Sequence, residues 1–297
     1  MLLVNKIRNF LNSKKILTKE EFKKKTNNGL RYEVSKNKLK HDIEQIHYLI
    51  KKKLISKKFN NTIKDYKLVY NALPKNSDLT DIFTLSKDFT NKLGPTFNNL
   101  IYYQPPDIMD KKIISDKKKI VSENSNKKFK YIVIDDFLNK EILETLYEYC
   151  LTNSIWNEFD YKNGYIGSFI ENSFNAPLIL QISEELKLHF PEIFQNFPLT
   201  KAWAFKCNNQ MKGIKIHADF AAINVNFWIT PDKANLNKKT GGLLIWDREA
   251  PKNWNFDKYN NKDQEITKYL KKTKSRMKKI KYKSNRAIIF NSNLFHA

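Results

Sequence analysis

The chain has 297 residues, 54 of them basic and 31 acidic, for a formal net charge of +23, with 41% hydrophobic and 13% aromatic residues. That apolar share excludes a disordered polar chain, and the length allows one large domain or two ordinary ones. Only five of the basic residues are arginine, and the lysines are spread throughout, which argues against a nucleic-acid groove while leaving a general attraction to anionic surfaces or substrates.

In chain order, residues 1 to about 35 are basic and weakly periodic, as a short helix and a loose arm would be. Met1–Arg8 lacks the apolar run of a secretory signal, and no stretch approaches the roughly 20 apolar residues of a membrane span. From His41 onward Ile43, Ile46, Leu49, Ile50 and Leu54 recur at helical spacing. A second helix is predicted from Ile63 to Leu73, ended by Pro74, and a third from Leu79 to Leu93, closed by Gly94-Pro95. Residues 1–103 thus form a helical N-terminal region, readable either as a helical-repeat unit or as a small cap. His41, His47 and His189 read as surface or helix-end residues.

Residues 104–128, from Gln104-Pro-Pro-Asp to Ser122-Glu-Asn-Ser-Asn126, look like a polar linker. The domain over 129–297 opens with a strand at Tyr131–Ile134 and a helix after Asn139 bearing Ile142, Leu143, Leu146, Tyr147 and Cys150 on one face. A hairpin or loop follows over 156–170, then a helix from Leu178 to Phe190. Strands are predicted at 200–207, 213–217, 221–229, 242–246, 278–283 and 287–291, with a lysine-rich helix over 263–277 whose apolar stripe is Ile266, Tyr269 and Leu270. That helix reads as a solvated surface element or a substrate lid. The two cysteines, Cys150 and Cys207, are too sparse for thiolate metal sites and suit a reducing cytoplasm, the expected location.

The chemistry-bearing feature is His217-Ala-Asp219, answered by His296. Residues i and i+2 of a strand share a face about 6.6 Å apart, so a short segment can aim two ligands at one ion while a neighbouring strand supplies the third. Two imidazoles and one carboxylate leave half of an octahedral metal's positions open, which is how non-haem Fe(II) is commonly held. Within 221–229, Ile223, Val225, Phe227 and Ile229 face one way and Asn224, Asn226 and Trp228 the other. The polar row either lines a metal cavity or faces solvent. Trp246 either walls the substrate side or belongs to the core.

From about Phe129 to the end, four stretches resemble the Fe(II)/2-oxoglutarate-dependent oxygenases of the prolyl-hydroxylase-like branch. They are His217-Ala-Asp219, Asn224–Pro231, Gly241–Asp247 and Arg286–His296. The resemblance implies an α+β fold, a double-stranded β-helix (jelly-roll) core with flanking helices. It also implies Fe(II) on His217, Asp219 and His296, and 2-oxoglutarate as co-substrate; if the polar row of 221–229 lines the cavity, Asn224 and Asn226 hydrogen-bond that co-substrate or its water. The substrate would be a small molecule or a peptide side chain. Family members place an Arg or Lys on a strand beyond the distal histidine to meet the far carboxylate of 2-oxoglutarate. This sequence stops at Ala297, so the resemblance implies a domain truncated at its C-terminus. Arg286 lies before His296 and does not inherit that role; Lys215 is the nearest substitute by strand phase. A different expectation is a degenerate jelly-roll that binds a partner protein through its helical N-terminal region. A cupin-like metal hydrolase fits less well, because no general base is evident beside the ligands. The sequence sets no oligomeric state.

Overall fold

The computed structural model describes residues 33–94, 96–124, 131–160, 164–207, 213–238 and 241–297. The basic arm expected over 1–35 therefore lies almost wholly outside the described residues. In chain order the described elements are β1 (Glu33–Val34), α1 (Lys36–Lys51), α2 (Asn60–Ala72), β2 (Phe83–Thr84), α3 (Lys87–Leu93), β3 (Lys119–Asn124), β4 (Tyr131–Asp135) and α4 (Lys140–Thr152). Then come β5 (Tyr165–Phe169), α5 (Pro177–His189), α6 (Pro191–Phe194), β6 (Trp203–Cys207), β7 (Ile223–Phe227), β8 (Leu243–Glu249), α7 (Phe256–Asn261), α8 (Asp263–Lys272), β9 (Met277–Ile280), β10 (Ala287–Asn291) and β11 (Leu294–His296). Helices and antiparallel sheets combine as expected, with no closed barrel among the described residues. None of the described helices is long and apolar enough to cross a membrane.

The chain divides into two compact units, each discontinuous in sequence. The first takes Met1–Asp110, Glu148–Glu184 and Leu199–Lys212, as far as these are described. Helix α1 starts where the Ser35 side chain accepts a hydrogen bond from the Lys38 amide, a standard N-cap. Its buried stripe of Leu39, Ile46 and Leu49 and the Ile63, Tyr66 and Val69 stripe of α2 carry the helical periodicity read from the sequence. Val34, Leu39, Tyr66, Val69, Leu73, Leu93 and Phe97 share one apolar cluster. The third predicted helix, 79–93, is shorter than its pattern. Phe83 and Thr84 pair antiparallel with Val34 and Glu33, and only after Ser86 accepts a hydrogen bond from the Phe89 amide does α3 begin. The region expected as a hairpin supplies β5, which pairs with β6 from Tyr165↔Cys207 to Phe169↔Trp203.

His41 departs from expectation. Its side chain is only 14% exposed, with Nδ1 3.0 Å from the Asp42 carboxylate and Nε2 3.3 Å from Lys206 Nζ. Local periodicity placed it on a lysine-rich face; its partners Lys206 and Trp156 arrive from far along the chain. His47 is exposed and His189 half-buried at the end of α5, as read.

The second unit comprises Lys111–Tyr147, Glu185–Pro198 and Gly213–Ala297. Part of the segment expected as a linker, β3, is a strand of this unit, paired with β4. One sheet runs β3-β4-β10-β7 and another β11-β8-β9, all antiparallel. Val133, Ile288 and Phe290 of the first sheet and Leu243, Ile245, Ile280 and Leu294 of the second share one apolar cluster, so the two sheets pack face to face. In β7, Asn224 is paired with Phe290 and Asn226 with Ile288. Cross-strand partners share a face, so the asparagine row points toward the second sheet and the Ile223, Val225, Phe227 row points away, where Phe227 meets Phe137 with ring centroids 5.6 Å apart. The solvent-facing reading of the polar row is thereby set aside.

The predicted strand 213–217 reduces to a single bridge, His217↔His296, after Gly213 at φ +83°. The helix expected over 263–277 ends at Lys272, and Met277 already belongs to β9. Helix α8 is the surface helix read from the sequence, solvated on its lysine face and seated on its apolar stripe. Ile266 and Leu270 are buried against Ala218 and Phe295, while the lysines of the helix stay in water. Trp246 packs on the same cluster, which is the core alternative.

Candidate metal centre

His217, Asp219 and His296 come together in the second unit, one potential ligand atom from each lying within 4.8 Å of the others. The backbone brings them there. His217 N donates to His296 O at 2.9 Å and His296 N donates to His217 O at 2.8 Å, a closely bonded antiparallel pair that seats the two rings with centroids 4.3 Å apart. Asp219 N donates to Ser292 O at 3.1 Å, which turns the carboxylate toward both imidazoles.

Between the ligands, Ala218 is wholly buried; its N–H donates to Tyr259 O and its carbonyl accepts from Asn260 Nδ2, both at 2.9 Å. The sequence marked neither Tyr259 nor Asn260, because nothing local signals a contact with a residue some forty positions away. Phe290 stands edge-on to His296 at 4.9 Å and closes its apolar side.

The hydrogen bonds fix the tautomers. His217 Nδ1 lies 2.7 Å from Lys215 O and His296 Nδ1 lies 2.9 Å from Leu294 O. A carbonyl only accepts, so each Nδ1 carries the proton and each Nε2 presents a bare lone pair. Those lone pairs face a carboxylate: His217 Nε2 is 3.5 Å from Asp219 Oδ1 and His296 Nε2 is 3.3 Å from Asp219 Oδ2. A shared proton would draw such pairs to roughly 2.7–2.9 Å. Ligands held about 2.1 Å from a common ion at right angles stand roughly 3 Å apart. The donor set therefore fits a divalent cation. Burial lowers the pKa of His217, and the neighbouring His296 lowers it further, keeping the ring in its ligating neutral form. Burial pushes the Asp219 pKa up, against the lowering effect of either ring whenever it takes a second proton and of the Asn224 amide that donates to Oδ2, and the net shift is downward.

The other residues singled out in the sequence divide. Asn224, buried, donates from Nδ2 to Asp219 Oδ2 and accepts from Ser292 Oγ at 2.8 Å. Asn226 is half-buried two residues further along the same face and is not a hydrogen-bond partner of the three. Ser292, wholly buried, is a partner that the sequence did not mark. Arg286 grips Asp135 with Nε 2.6 Å from Oδ1 and a second guanidinium nitrogen 3.0 Å from Oδ2, and Lys283 adds a contact at 2.8 Å. Lys215 reaches Asp263 at 3.3 Å with its side chain 64% exposed. Neither Arg286 nor Lys215 is therefore directed at the triad. Compared with protein-family models, with curated proteins and with solved structures, the chain matches none.

Proposed function

We propose that the protein is a non-haem Fe(II)- and 2-oxoglutarate-dependent oxygenase, a hydroxylase, whose catalytic core is a jelly-roll formed by the two facing sheets of the second unit. The observation that carries this reading is the convergence of two Nε2 lone pairs and one carboxylate, each imidazole locked by a carbonyl on its other nitrogen. Such locking is what a ligating histidine needs, since it sets both the tautomer and the ring plane. Three protein ligands leave room for a chelating co-substrate and for O₂.

In this reading His217, Asp219 and His296 hold the ferrous ion. When bound, iron and 2-oxoglutarate supply the oxidising power, with release of CO₂ and succinate as a substrate C–H becomes C–OH. The chain's own work is positional. The paired backbone of His217 and His296 fixes two ligands, Phe290 shields one of them, and Asn226 faces the interior where a co-substrate oxygen could accept its amide proton. The far carboxylate of 2-oxoglutarate is met by neither Arg286 nor Lys215, both engaged elsewhere. The substrate class stays as broad as a small molecule or a peptide side chain.

The test is O₂-dependent formation of succinate from 2-oxoglutarate by the purified chain with Fe(II) and ascorbate, set against an anaerobic control. Asp219→Ala is expected to abolish both iron binding and this turnover. Iron binding without turnover in the wild-type chain would reduce the reading to a metal-holding module. Retention of both by the variant would remove the triad.

A further inference from the structure

We infer that Asn224 and Ser292 are positioning residues that hold Asp219 as a one-oxygen ligand, an inference that rests on the metal reading above. The Asn224 amide nitrogen donates to Asp219 Oδ2, and Oδ1 of Asn224 faces Ser292. The Ser292 hydroxyl must in turn be the donor of their 2.8 Å bond. Direction is thus set along the whole chain, from serine hydroxyl to asparagine amide to carboxylate.

The serine that starts this chain is itself clamped. Its carbonyl accepts from Asp219 N at 3.1 Å and its own N–H donates to Ala222 O at 3.2 Å. Asp219 is consequently held at both ends by one residue, directly through its backbone and indirectly through its carboxylate. Ser292 is 0% exposed and Asn224 6%, so water does not compete for these bonds.

The consequence is asymmetry between the two carboxylate oxygens. Oδ2 is committed to the Asn224 amide, whereas among the described residues no amide or hydroxyl hydrogen-bonds Oδ1. A carboxylate free to rotate can grip a cation through both oxygens and use up a further coordination position. Tethered at Oδ2, it offers Oδ1, and three positions stay open on the ion.

Cobalt(II) alone is the probe, because its visible bands strengthen as coordination number falls and so report on the ligand set without any turnover. The wild-type chain and Asn224→Leu, Ser292→Ala and His217→Ala variants are titrated with Co²⁺, with Ile289→Val as a buried substitution away from the chain of hydrogen bonds. Asn224→Leu is expected to weaken Co²⁺ ten- to a hundredfold and to change band intensity. Ser292→Ala should shift both in the same direction by less, and Ile289→Val should shift neither. Should Asn224→Leu fail to fold, Ser292→Ala decides. Wild-type affinity and spectrum in both the Asn224 and Ser292 variants, with binding lost in His217→Ala, would overturn the positioning role alone. Undiminished binding by His217→Ala would overturn the metal reading beneath it.

Discussion

Each unit contains a histidine beside an aspartate in a desolvated setting, yet the two clusters are chemically opposite. In the first, Lys38 Nζ sits 2.7 and 2.6 Å from the two oxygens of Asp42. His41 Nδ1 is 3.0 Å from the same carboxylate, and Lys206 Nζ approaches His41 Nε2 while lying 4.6 Å above the Trp156 ring. Both Asp42 oxygens and the His41 Nε2 thus face an N–H. In the second, His217, Asp219 and His296 turn their lone pairs on one another and Lys215, two residues before His217, points to Asp263. One cluster has its cations already in place; the other has the bare donor atoms that the proposed metal reading requires. Residue type alone does not make a metal site. What decides is whether ammonium groups have been folded in among the ligands.

The sharpest way to break that contrast is to remove one imidazole from each cluster. His296→Ala is expected to lose divalent-cation binding by more than the roughly ten- to hundredfold seen for residues that merely support a ligand, whereas His41→Ala should bind as the wild type does. Calorimetric titration with Mn²⁺ reads both. Equal behaviour of the two variants would erase the distinction.

Acid should expose the first cluster next. Burial, reinforced by Lys206, pushes the His41 pKa down to about 4 from its ordinary 6.5. The unfolded chain therefore takes up a proton that the folded chain refuses. Stability is expected to fall as the pH drops from about 6.5 to about 4, by on the order of 3 kcal/mol at most. Subtracting the pH profile of a His41→Phe variant, obtained from urea unfolding, isolates this part. His217 contributes equally to both profiles, and the depressed carboxyl of Asp42 acts only below its ordinary 3.8. A flat difference curve would mean that His41 titrates freely.

The smallest expected change comes from Lys206→Met. Burial pushes the Lys206 pKa down to about 8, so the ammonium is retained at a cost that its contacts with the Trp156 ring and His41 Nε2 offset only in part. An isosteric apolar replacement should alter stability by no more than about 1 kcal/mol, while moving the acid transition of His41 upward. A large loss of stability would show that the lysine anchors the cluster.

The comparison also separates what the sequence could reveal from what it could not. The triad was legible because two ligands lie in one short segment and the third closes a strongly apolar strand. Strand alternation likewise found the asparagine row of β7, and only the register with Ile288 and Phe290 told which way it faces. His41 was misread because helical spacing describes one helix at a time, and Lys206 is 165 positions away. The segment before His217 reads as a strand, but it contributes only the His217↔His296 bridge, and it follows Gly213 in the left-handed region. Ser292 was passed over because a lone serine after an apolar run carries no local sign of a partner 68 positions earlier.

The docking of Tyr259 and Asn260 on Ala218 changes how the lysine-rich stretch after Trp246 should be regarded. By composition it looks disposable, the kind of surface insertion an engineer would trim to shorten a chain. Yet it saturates both peptide groups of the residue set between two ligands, and Ile266 and Leu270 fill the space beneath. It works as a buttress. On the proposed metal reading, deleting it, or placing a bulkier side chain at position 218, would loosen the hold on the ion from behind, with His217, Asp219 and His296 all still present in the sequence.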